Sequence, residues 1–140
     1  MNRLTHVTLA LRIAFGLMAT LAGLDKYFNL LADWEAYMAP IAAELSPFSP
    51  HTLMAVVGLV EIAVGLTILF VRPDIGAYVA SAWLSLVAVN LVMGGHLDVA
   101  VRDLVLAVAA FALARLSELG AEARSQQPLP IAEARGQIAV

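Results

Sequence analysis

The sequence predicts an all-α integral membrane protein: a four-helix bundle with an amphipathic interfacial helix between its first and second spans. Hydrophobic residues make up 61% of the 140 and charged residues 14%, against roughly half and a quarter in soluble domains. The apolar residues gather in four runs, each near the length that a spanning helix needs. The charges inside those runs share faces with small residues instead of scattering. A soluble domain of this length could not hide so much apolar surface.

The first span covers about 7–24, an apolar run that Arg12 interrupts. Arg12 would split the core of a cleaved signal, and the run ends at Asp25-Lys26 without a cleavage motif, so it is expected to remain as a helix. The second covers 53–71, broken once by Glu61. Arg72-Pro73-Asp74 supplies a turn, and the third span follows over 75–93 with Trp83 and Asn90 in it. Gly94-Gly95-His96 ends that run, and the fourth span, 99–116, carries Arg102 and Asp103 near its start.

The stretch from Asp25 to Thr52 differs in kind. Tyr27, Phe28, Leu31, Trp34, Tyr37 and Met38 recur at helical spacing among acidic residues, which predicts an amphipathic helix at the interface with Trp34 and Tyr37 as headgroup-level anchors. Pro47 and Pro50 break it before the second span. After Leu116 the composition turns to Glu, Arg, Gln and Pro, so the chain divides into a membrane domain, 1–124, and a flexible cytoplasmic tail, 125–140.

Charge sets the orientation. Arg3, Arg72, Arg115, Arg124 and Arg135 fall on the side of the N-terminus, whereas Lys26 and Arg102 fall on the other. The positive-inside rule puts both termini in the cytoplasm of a multi-pass protein of the bacterial inner (plasma) membrane. A net charge of −3 with scattered cations excludes nucleic acid as a natural partner. The absence of cysteine excludes disulfides, thiol exchange and Cys-ligated metal clusters. His6, His51 and His96 do not form the paired in-membrane set that haem ligation between spans needs, and no metal site is expected.

Function is sought among the polar residues inside the apolar runs, because a charge in hydrocarbon costs several kcal/mol and normally faces a partner. Arg12, Gly16, Ala19, Gly23 and Lys26 lie within about 40° of one line on the first span at 100° per residue. Met54, Gly58, Glu61 and Gly65 form a similar face on the second, and Asp103, Ala107, Ala110 and Ala114 on the fourth, so these faces are expected to pack together. Depth along the spans then predicts two pairs: Arg12 with Glu61, either to fix register or to serve a ligand, and Lys26 reaching down to Asp103. Arg102 points away from Asp103 in this scheme and snorkels outward. Asn90 and His96 complete a polar group near the outer leaflet.

Leu11 to Leu17 with Ala22-Gly23-Leu24-Asp25-Lys26, then Gly58, Glu61 and Gly65, then Ala100-Val101-Arg102-Asp103-Leu104 opening an Ala- and Leu-rich fourth span, resemble the DoxX-like family of small four-helix bacterial membrane proteins. The likeness covers most of residues 11–116. It implies association with redox or maturation systems of bacterial membranes, with Arg12, Lys26, Glu61 and Asp103 at the family's recurrent polar positions. The family takes its name from a subunit of a thiosulfate:quinone oxidoreductase. Activity does not transfer on fold resemblance alone.

The expectation is therefore an accessory or quinone-interacting subunit of a membrane redox system. Its outward-facing pocket would be lined by Lys26, Asp103, Asn90 and Glu61, with Arg12 and His96 nearby, and quinone is the expected small-molecule partner. A cation beside a desolvated carboxylate can bind a quinone carbonyl or a small oxyanion and pass protons. The alternative is a non-enzymatic membrane assembly factor that binds a partner protein through the outer loop. A solute carrier is disfavoured, because the sequence shows neither discontinuous helices nor an inverted repeat.

Overall fold

The computed structural model describes residues 3–126, and among them every regular element is helical. The helices are α1 (Arg3–Asp25), α2 (Pro40–Leu45), α3 (Pro50–Leu66), α4 (Pro73–Met93) and α5 (Leu97–Ser125). A 3₁₀ turn, Trp34–Tyr37, precedes α2, and α3 runs on into a π-helical turn at Thr67–Val71. Three helical stretches are long and apolar enough to cross a membrane: α1, Pro50–Val71 and α4. The 29-residue α5 is longer, but Arg102, Asp103 and Arg115 interrupt its apolar stretch.

Local chemistry explains the boundaries. Ser49 caps α3 by accepting from the Thr52 amide, and Pro50 occupies the first turn, where its missing N–H costs nothing. The proline expected to stop a helix starts one instead. At the end of α4, Gly95 adopts φ 82°, the left-handed conformation that glycine enters without a Cβ penalty. The His96 amide then bonds to Leu91 O at 2.8 Å and the Gly95 amide to Val92 O at 3.1 Å, which together close a Schellman cap and reverse the chain into α5.

Packing runs in antiparallel pairs. Along α1 and α3, Gly23 sits against Gly58, and Gly65 sits against Gly16 and Thr20. A Cβ built on Gly23 would lie 2.5 Å from Gly58 O, and one on Gly58 would lie 2.6 Å from Gly23 O, so the backbones themselves are in contact. Along α4 and α5, Ser81 donates to Ala107 O at 2.8 Å and Tyr78 donates to Glu118 at 3.0 Å. The buried set is dominated by small residues, including Ala77, Ala80, Ala107, Ala110 and Ala114, around Phe15, Ile68 and Leu113. Many large apolar side chains point outward, among them Leu59, Leu86, Val105 and Val108.

The segment between α1 and α3 departs from expectation. Instead of one amphipathic helix it is a turn, a single 3₁₀ turn and the six-residue α2. Side chains compete for the backbone here and win. Asp25 accepts from the Leu30 and Leu31 amides at 3.0 and 2.9 Å and from the Trp34 indole at 2.8 Å. Asn29, at φ 51°, turns the chain out of α1. The expected tail, 125–140, begins on the last residue of α5 and from 127 onward lies outside the described residues.

Candidate functional site

A cavity of about 530 Å³ lies among α1, α3, α4 and α5 beneath the 25–52 segment. That volume is ordinary for a small-molecule site, roughly 300–1,000 Å³. Most of its wall is apolar, with Phe15, Met18, Met54, Val57, Leu84 and Leu106 among the lining residues. Lys26, Glu61, Asn90, Arg102 and Asp103 supply the polar part.

Lys26 is the centre of that part. Its ammonium lies 2.5 Å from Glu61 Oε2, with the two side chains 5% and 15% exposed, and it sits 3.8 Å from the centroid of the Trp34 ring. An ammonium held between a carboxylate and an indole face is stabilised by both. Arg102 donates to Asp103 Oδ1 from Nε at 3.0 Å and from Nη2 at 2.9 Å, its own head largely exposed while Asp103 is buried. The two carboxylates and two cations thus form one balanced group along the cavity wall.

The covering segment is pinned by Asn90. Its side-chain oxygen accepts from the Ala39 amide at 3.0 Å while its side-chain nitrogen donates to Tyr37 O at 2.9 Å. Asn90 therefore satisfies two backbone groups of a segment that has little regular structure of its own. Trp34 and Tyr37 line the cavity. They act as its cover because Asp25 holds the Trp34 indole and Asn90 holds the Tyr37 carbonyl.

The structure brings together four of the six residues expected at the site: Lys26, Glu61, Asn90 and Asp103. Their pairing is not the expected one. Lys26 bonds to Glu61, not Asp103, and Asp103 takes Arg102, which turns back toward it instead of snorkelling away. The register explains this. With Gly23 opposite Gly58 and the helices antiparallel, Glu61 lies about 4.5 Å deeper than that crossing and Lys26 about 4.5 Å above it, a gap two long side chains close.

Arg12, by the same register, lies about 12 Å deeper than Glu61 and cannot be its partner. It donates instead to Ile68 O at 2.9 Å and to Leu69 O. Those carbonyls are free for a specific reason. In the π-helical turn the Arg72 amide bonds to Thr67 O, so it is not available to Ile68, and Pro73 has no N–H for Leu69. Arg12 is thus a cap for the end of α3 and stands away from the cavity. The signal was present in the sequence, since a proline four residues after Leu69 orphans its carbonyl.

His96 also lies outside the main cavity. It hydrogen-bonds Ala36 O at 3.1 Å, packs against Tyr37 with ring centroids 5.1 Å apart, and lines a smaller hollow of about 380 Å³ with Asp33 and Asp98. Trp83 is a site residue that the sequence reasoning passed over. Its indole nitrogen is buried and has no hydrogen-bond partner among the described residues, although its ring lines the cavity and the group approaches Glu61. A tryptophan on one helix that approaches an acid on another has no periodic signature.

Among the described residues, fold and site define an all-helical chain with three helices long and apolar enough to cross a membrane and an apolar cavity that carries a balanced cluster of charges. Comparison with family models, curated proteins and solved structures returned no match.

Proposed function

We propose that the chain crosses the bacterial inner membrane four times with both termini cytoplasmic, and that it serves a membrane redox system as an accessory or quinone-interacting subunit of the DoxX-like kind. The observation that carries this reading is the cavity, with an apolar body and a polar cluster of Lys26, Glu61, Arg102 and Asp103. Such a cavity suits a lipid-soluble ligand with one polar end. The fourth crossing is α5. Its residues Leu104 to Ala114 carry no charge, it pairs with α4 along its length, and Val105 and Val108 face outward at 64% and 69% exposure, as lipid-facing residues do.

Orientation is checked by labelling. A cysteine introduced at Ala36, which is exposed, is expected to react with an impermeant maleimide in intact cells, while a reporter fused after Val140 stays cytoplasmic. Reaction only after permeabilisation would reverse the topology. The ligand reading is checked by purifying the full chain in mild detergent and extracting its lipids. Quinone at near-stoichiometric amount is the expected result, and quinone no higher than in an unrelated membrane protein would sink it.

A second reading has its own observation. Phe28, Leu30 and Leu31 are exposed at the start of the covering segment, beside the 3₁₀ turn, and such a patch suits a partner protein. An assembly factor would bring down a stoichiometric partner without quinone in the same purification.

A further inference from the structure

The Trp83 indole N–H is shielded from solvent and, among the described residues, approaches Glu61 without meeting hydrogen-bond geometry with any acceptor, a condition that costs free energy and calls for a compensating state. The acid it approaches, Glu61, is hydrogen-bonded through Oε2 to Lys26, and no hydrogen bond to Oε1 is formed among the described residues. Glu61 thus stands between two donors and uses one. Lys26 in turn has three N–H groups and, among the described residues, directs a single hydrogen bond, to Glu61. Both facts concern the wall of one cavity.

Charge constrains what that cavity accepts. Lys26 and Arg102 are matched by Glu61 and Asp103, so a head group with net charge would leave one charge unmatched among Met18, Val57 and Leu106. An uncharged head with an acceptor oxygen leaves the balance intact. We infer that the cavity takes an uncharged lipid bearing a carbonyl or hydroxyl oxygen, that this oxygen accepts from the Lys26 ammonium, and that the Glu61 carboxylate it displaces is received by the Trp83 indole. The inference rests on the cavity being the ligand site proposed above. Trp83 is a positioning residue in this scheme, since it acts through Glu61. The ion pair is loosened, not dissolved: the carboxylate gains the indole as a second donor while it stays within the same cluster as the ammonium.

The sequence holds two tryptophans, so the full chain in lipid nanodiscs with 15N-labelled indoles gives two indole signals. Titration with decylbenzoquinone is expected to move the Trp83 proton downfield as it gains an acceptor. Trp34, already bonded to Asp25, should move less. Decylbenzene, which has the same body without the oxygens, should produce no downfield shift at Trp83. Trp83→Phe keeps an aromatic wall and removes the donor, so decylbenzoquinone should bind about tenfold more weakly while decylbenzene is unaffected. The wild-type titration decides the matter even if that variant fails to accumulate. An unmoved Trp83 at saturating decylbenzoquinone, or an equal response to decylbenzene, would refute the exchange and leave the ligand site standing. Tighter binding of decyl sulfate than of decylbenzoquinone would refute the choice of an uncharged head. No binding of any of the three probes would overturn the ligand site itself, and the inference with it.

Discussion

Lys26→Met and Glu61→Leu, made singly, are each expected to destabilise the protein by about 3–5 kcal/mol, because each leaves its partner buried and uncompensated. The pair is close, at 2.5 Å, and shielded on both sides, so neither charge can turn to bulk water for relief. Trp34 offers the lone ammonium a ring face, which is worth only about 0.5–2 kcal/mol. The double variant removes the desolvation penalty together with the attraction. It should recover most of the lost stability, measured as the midpoint of thermal unfolding in detergent, while losing affinity for decylbenzoquinone. Recovery of both stability and affinity would make the pair a structural fastener and remove Lys26 from the ligand site. Single variants that melt with the wild type would show that the two charges are not buried partners at all.

The second large effect belongs to the α1–α3 crossing. Gly58→Leu forces a side chain into space occupied by the Gly23 carbonyl, which belongs to a helix backbone and cannot rotate away as a side chain can. The helices must separate, and with them Lys26 from Glu61, so the expected cost is about 3 kcal/mol or more. Cysteines placed at Thr20 and Leu66, near the contact of Gly65 with Thr20, should cross-link in the wild-type background and lose that cross-link with Gly58→Leu. Gly120→Ala is the matched control. Nothing stands within 4 Å of a Cβ there, so it should be neutral or stabilising by up to about 1 kcal/mol from helix propensity. If Gly58→Leu melts and cross-links like Gly120→Ala, the two backbones are not in contact.

Much of the helical architecture follows from short-range properties of the chain. Apolar runs of near-spanning length, interrupted by Arg72-Pro73 and by Gly94-Gly95, fix where the long helices lie, because an apolar stretch away from water must satisfy its own backbone and the turn residues end it. The small-residue faces were legible for the same reason: a glycine at every seventh position, Gly16 with Gly23 and Gly58 with Gly65, marks a close approach whichever partner supplies the other side. Four members of the polar cluster were legible too, whereas Arg102 was not, and Arg12 and His96 were expected there and stand outside it. Lys26, Glu61, Asn90 and Asp103 are expensive in apolar runs, and cost draws them to a common interior.

What the sequence determined by itself was therefore the helices, their sticky faces and the residues that must be sheltered. Tertiary structure alone decided who shelters whom. Depth estimated from the ends of each run carries an error of a turn or more, enough to bring Arg12 within apparent reach of Glu61 when about 12 Å of helix rise separates them. The crossing of Gly23 on Gly58 sets that register, and it depends on two distant segments meeting. The covering segment shows the same division. Its aromatic spacing fits a helix, yet Asp25 and Asn90 outbid the helix for its backbone amides and carbonyl, and Asn90 can do so only because the fold brings α4 beneath residues 37–39.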